Sequence, residues 1–247
     1  MFRKCLYVGA LVCIAGPALA SLQDANGYKV NPRVFNDYPG SNLSIVTAYP
    51  NATITEQQYG AGGWANRHDL VLSTDGGTTG YQIPVLEGFD ISVNIMLDAG
   101  SIAPRKEAGI RFNGTGPHAG NDGLFILTSD GEVAAFGASL PFHTFGNSAY
   151  ALGSTVTMRM IYRPSVFPGE STMEYLLNGN SSGQKAFNPI DNGLLPNSEL
   201  AFYGQFAVDD SNPQEFGFLQ VSGVQIAAPE PASALLLIAG LVALRRR

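Results

Sequence analysis

Cysteine is missing from all but the first 20 residues of this 247-residue chain: its two copies are Cys5 and Cys13. That excludes disulfides and thiolate metal sites from the remainder, which must be held together by its core alone. Histidine is scarce too, with only His68, His118 and His143, never paired at ligand spacing. Neither His-Glu-x-x-His nor Gly-x-Ser-x-Gly occurs, so zinc-peptidase and serine-hydrolase signatures are absent. Charged residues make up only 14%. Five of the 14 basic ones lie at the two ends, leaving nine against all 20 acidic residues between Ser21 and Pro231, a net charge of −11. Such a surface argues against nucleic acid or anionic lipid head groups as partners. No convincing long helical period occurs between Leu22 and Ala227.

What is present begins with an export signal. Arg3 and Lys4 precede an apolar stretch, Cys5 to Ala15, then Pro17 and the small-x-small triplet Ala18-Leu19-Ala20. Residues 1–20 read as a signal helix, cleaved after Ala20. At the other end, Pro229-Glu230-Pro231 precedes an apolar run, 232–244, and then Arg245, Arg246 and Arg247. The prolines hold the chain extended, and the arginines keep that end on the cytoplasmic side. At ~20 Å for 13 residues the run is short for a permanent span and suits a temporary membrane helix. This ending resembles the PEP-CTERM sorting signal of Gram-negative bacteria. The resemblance implies processing by the membrane protease exosortase, at or near the tripeptide, and a cell-surface or extracellular-matrix destination. Such systems resemble machinery found with exopolysaccharide production.

Residues 21–227 read as one ectodomain, with 228–247 as the sorting and anchor segment. Short segments rich in β-branched and aromatic residues alternate with Gly, Asn, Asp and Pro. Thirteen candidate strands follow, among them Asp69–Ser73, Tyr81–Val85, Phe89–Leu97, Ala108–Asn113, Thr155–Pro164, Glu199–Phe206 and Phe216–Ile226. In Phe89-Asp-Ile-Ser-Val-Asn-Ile the apolar residues share one face. Asp130-Gly131 and Asn178-Gly179 allow the positive φ of tight hairpins. The pattern predicts an all-β antiparallel sandwich. The order Phe89–Leu97, Ala108–Phe112, Asp122–Leu127, Thr155–Ile161, Met173–Gly179 and Gly217–Ile226 resembles a concanavalin-type, laminin-G-like jelly roll, with an immunoglobulin-like sandwich as the rival.

Catalysis on that fold would usually mean a glycosidase. The Glu-x-Asp-x-x-Glu strand of its glucanase relatives, with carboxylates about 5–5.5 Å apart, is absent here. Glu87-Gly-Phe-Asp90 comes nearest, but a spacing of three puts the two on opposite strand faces. Glu132 and Glu174 stand alone beside turns, and His68 reads as a loop or edge residue. The expectation is therefore no enzyme, but an exported, non-catalytic glycan- or matrix-associated module. The alternatives are a carbohydrate-active hydrolase and a purely structural matrix protein. A ligand site is placed at Trp64, with Tyr59, in a glycine-rich loop, because an aromatic face stacks on a pyranose. No cofactor is required. Ca²⁺ is the one candidate, at Asp122 or at Asp209 and Asp210, where loop oxygens cluster.

Overall fold

The computed structural model describes residues 21–84, 86–115, 122–137, 140–165, 170–187, 198–209, 211–212 and 214–229. The signal segment, Glu230, Pro231, the 232–244 run and the three terminal arginines lie outside them, as do His118 and Asp210. Among the described residues no helix is long and apolar enough to cross a membrane.

After a short 3₁₀ turn at Leu22–Asp24, fifteen strands follow among the described residues. They are β1 Gly27–Asn36, β2 Asn42–Ala48, β3 Asn51–Gln57, β4 Ala65–Ser73, β5 Phe89–Ala99, β6 Glu107–Gly114, β7 Asp122–Thr128 and β8 Val133–Gly137. Then come β9 His143–Gly146, β10 Thr155–Arg163, β11 Thr172–Leu177, β12 Asn180–Ser181, β13 Lys185–Ala186, β14 Ser198–Ala207 and β15 Phe216–Ala227. A seven-stranded sheet runs β1-β4-β14-β6-β7-β8-β9, and an eight-stranded one β12-β11-β10-β5-β15-β3-β2, with β13 on β11. Every pairing is antiparallel.

The alternation read from the sequence decides which side chains enter the core. On β5, Phe89, Ile91, Val93, Ile95 and Leu97 are buried and pack into it. Leu70 and Leu72 on β4 meet them from the opposite sheet, with Leu200, Phe202 and Phe206 of β14. Between the sheets, the Phe206 ring lies against Gly217. A Cβ there would sit 2.2 Å from the ring, so only glycine fits.

Two expected elements differ. The expected strand Tyr81–Val85 is not seen over its described residues 81–84, which contribute one isolated bridge, Ile83 to Ser198, with Pro84 unable to donate to a ladder. Conversely, β1 is an edge strand in spite of Pro32. Its ladder with β4 is irregular between Asn31 and Phe35, which is where an edge tolerates proline. Gly131 and Gly179 take the positive φ that their turns were expected to need.

His68 is a correction of a different kind. It is a fully buried strand residue rather than one in a loop or at an edge. Arg33 N–H donates to its Nδ1 at 3.0 Å, which places the ring proton on Nε2, 2.9 Å from Glu56 Oε2. Glu56, also fully buried, accepts at Oε1 from Ser41 Oγ at 2.5 Å and from Asn66 Nδ2 at 2.7 Å. This polar knot ties β3 of one sheet to β4 of the other.

Candidate functional site

Strand alternation sends Asn66, His68 and Leu70 inward, so Arg67, Asp69 and Val71 face outward from the seven-stranded sheet. Tyr203 on β14 stands opposite Asp69 on one side and Gly109 of β6 on the other. Gln205 likewise stands between Arg67 and Glu107, and Ala201 between Val71 and Arg111. Four central strands thus bring five ionisable side chains and a phenol to one patch.

The small Ala201 side chain leaves room for Arg111 to reach over β14. Its Nη1 donates to Asp69 Oδ2, and its Nη2 donates to both Asp122 oxygens at 2.8 Å. Arg67 Nη1 lies 3.6 Å from Asp122 Oδ2, and Arg67 Nε lies 3.8 Å from Asp69 Oδ1. The Arg67 guanidinium also rests over the Tyr203 ring, 4.8 Å from its centre. Unlike Arg111, it donates no hydrogen bond to any described residue. Arg67 Nε, Arg111 Nε and Asp69 Oδ1 are all buried without a hydrogen-bond partner among the described residues. Three such atoms in one patch are unusual, because buried polar groups are nearly always satisfied.

The protonation states follow from burial. Tyr203 is fully buried, and its hydroxyl donates to Glu107 Oε2 at 3.3 Å. Burial and the neighbouring Glu107 carboxylate push the phenol well above its ordinary range, so it holds its proton. Burial raises Glu107 too, against the opposing pull of Tyr203, Arg67 and Arg105. Asp69 is raised by burial in spite of Arg111 and Arg67. Glu199, raised by burial, accepts from Gln82 Nε2 at 2.6 Å at the edge of the patch. The arrangement offers a proton donor, a carboxylate of raised affinity for protons, and a guanidinium with donors to spare.

Of the residues singled out in the sequence, Asp122 belongs to this patch, as the carboxylate that orients Arg111. Trp64 is 54% exposed and meets Phe35 edge-on at 5.7 Å. Tyr59 is in the core, packed on Tyr38, its hydroxyl donating to the Glu56 carbonyl at 3.1 Å. Asp209 caps its own turn through Ser211 N–H at 3.0 Å and Ser211 Oγ at 2.6 Å. Among the described residues no three metal-ligating side chains converge. Glu132 accepts from Arg105 at 2.8 Å, and Glu174 from Arg163 at 2.9 Å, both away from the patch.

Sequence reasoning missed Arg67, Glu107, Arg111 and Tyr203. The available signal was a charge inside an otherwise apolar strand, as in Ala108-Gly-Ile-Arg-Phe112. A charged residue is seldom found at such a position unless it is paired.

No family model and no curated protein matches the sequence. Solved structures do match the fold. An alginate lyase from Corynebacterium sp. is 12% identical, with a TM-score of 0.54 over 82% of this chain and 94% of that one. A family 7 alginate lyase variant in complex with substrate is 13% identical, with a TM-score of 0.52 over 76% and 82%. A structure reported with endo-acting O-glycanases of the human gut microbiota is 7% identical, with a TM-score of 0.54 over 81% and 92%. The fold is the jelly roll of polysaccharide lyase family 7, as the sequence pattern led us to expect in its broad class. The same neighbours correct the expectation of a non-catalytic module and of no enzyme. That expectation rested on the missing carboxylate pair of a hydrolase. The neighbours include alginate lyases, and a lyase reaction does not need that pair.

Proposed function

We propose that this chain is an exported, carbohydrate-active enzyme that cleaves an acidic polysaccharide by β-elimination on the outer face of its seven-stranded sheet. The observation that carries the reading is the Arg67–Tyr203–Glu107 cluster. A guanidinium that donates no hydrogen bond to any described residue lies over a protonated phenol bonded to a carboxylate. A planar guanidinium matches a uronate carboxylate through two parallel hydrogen bonds. Neutralising that carboxylate acidifies the C5–H beside it. Glu107 takes the C5 proton, a C4=C5 double bond forms, and the C4–O bond breaks. The Tyr203 hydroxyl protonates the departing glycosidic oxygen. In the structure Tyr203 is covered, with Arg67 over its ring; a uronate that draws the guanidinium toward itself uncovers the phenol. Arg111, tied to Asp69 and Asp122, holds those two carboxylates in place beside the same patch.

Arg67→Gln is expected to raise KM for a polyuronate about tenfold or more, the order of one lost charge-assisted hydrogen bond. Steady-state kinetics on polygalacturonate and alginate measure this, and an unchanged KM would remove Arg67 from the reading.

The destination rests on the two ends. The export signal, the Pro229-Glu230-Pro231 tripeptide, the short apolar run and the terminal arginines support delivery to the cell surface or matrix after exosortase processing. A glycan-rich matrix is where such an enzyme meets its polymer. The mass of the exported protein is expected to correspond to a chain starting at Ser21 and ending near the tripeptide. A C-terminus still at Arg247 contradicts exosortase cleavage.

A further inference from the structure

We infer that Phe35 and Trp64 form a stacking subsite for a pyranose unit of the polymer, a reading that rests on the proposed elimination site beside it. Phe35 is 40% exposed and Trp64 54%. Their rings meet at 5.7 Å with 69° between planes, leaving faces of both open. Neither ring belongs to the core, yet the backbone beneath each is pinned. Trp64 N–H donates to Asp37 Oδ2 at 3.0 Å, and its carbonyl accepts from Val208 N–H at 3.0 Å. In the irregular part of β1, Arg33 takes a positive φ of 55°. Its side chain donates to the carbonyls of Tyr38 at 2.6 Å and Ser41 at 2.8 Å. With Arg33 anchored in this way, Phe35 is left beside Arg67, its register partner on β4.

That register places the platform on the same sheet face as the ionic patch. From β1 to β14 is two strand spacings, ~10 Å, the length of about two pyranose units of an extended chain. A uronate whose carboxylate sits at Arg67 therefore has a neighbour within reach of the aromatic pair. Asn31, the register partner of Asp69, lies along the same line and can hydrogen-bond sugar hydroxyls. The occupant fits both halves of the surface: the apolar face of a sugar ring on the aromatics, and its charged neighbour on the arginine.

The single tryptophan of the chain makes the subsite directly readable. Emission is recorded on the processed Tyr203→Phe protein, so that turnover is slow, during titration with oligouronates of two to six units and with neutral oligosaccharides of equal length. A saturable change in Trp64 emission is expected with the longer oligouronates, together with affinity about tenfold weaker in the additional Phe35→Ala variant. Phe35→Tyr should retain binding, which separates lost stacking from lost folding. If wild-type protein cleaves the polymer while Trp64 emission never responds, the subsite is overturned and the elimination reading stands. If emission responds but no polymer is ever cleaved, the subsite stands and the elimination reading falls. An emission change that depends on protein concentration alone would make the pair a contact between copies of the chain and overturn the subsite.

Discussion

Tyr203→Phe removes one oxygen and is expected to lower the rate of polymer cleavage by a factor of about 10² to 10⁴, the range for losing a positioned proton donor. The fold should tolerate the change, because the ring, its packing under Arg67 and its place between Asp69 and Gly109 are all kept. Glu107→Gln should cost as much, since it removes the proton acceptor while keeping the shape. The two residues also set the pH profile. Because Glu107 is raised by burial, cleavage should climb with pH through an inflection above the ordinary carboxylate range. It should then level off and fall only where the Tyr203 proton is lost, far higher, because that phenol is itself held well above its ordinary value. Initial rates across pH check both limbs. A rate unaffected by Tyr203→Phe would show that the departing oxygen takes its proton from elsewhere.

The second large effect concerns stability. Glu56→Ala is expected to destabilise the fold by about 3–5 kcal/mol, the cost of breaking a buried ionic and hydrogen-bonded group by removing one partner. It strands His68 Nε2 without its acceptor and takes one acceptor from Ser41 Oγ and from Asn66 Nδ2, which keep the Tyr38 carbonyl. Burial pulls the Glu56 carboxyl upward, but the hydrogen bonds from His68, Ser41 and Asn66 outweigh it and hold the group below its ordinary range. A carboxyl depressed in the folded state stabilises the fold fully above its unfolded pKa and loses that contribution as pH falls through the folded value. Asp69, Glu107 and Glu199 are raised and work in the opposite sense. The informative quantity is thus the difference between wild type and variant. Denaturant unfolding should show a gap that is widest at neutral pH and narrows toward acid. A gap independent of pH would mean that Glu56 acts by packing alone.

Much of the fold could be read from local pattern. The alternation in Phe89–Leu97 and Thr155–Ile161 is the alternation of β5 and β10, the Asp130-Gly131 turn lies between the strands it was expected to separate, and Asn178-Gly179 follows β11 as expected. β1 escaped because Pro32, Asn31 and Arg33 interrupt its apolar period, and only its edge position makes that tolerable. The candidate site was harder for a physical reason. Arg67, Glu107 and Tyr203 come from strands far apart in the chain, and only the β4-β14-β6 ladder order brings them together. Read singly, each was a charge or phenol in a strand. The search for paired glutamates also presupposed hydrolysis, and so it passed over arginine and tyrosine. Trp64 stood out because it is unique, and its partner Phe35 did not, because their contact depends on the irregularity in β1.

The most direct test of the elimination reading is the ultraviolet absorbance of the product. Elimination leaves a C4=C5 double bond conjugated to the uronate carboxylate, which absorbs, whereas hydrolysis leaves none. With the processed protein and a panel of polyuronates, absorbance should rise in step with new reducing ends on at least one polymer, and Tyr203→Phe should abolish both. New reducing ends without absorbance, or no cleavage of any polyuronate, would contradict it.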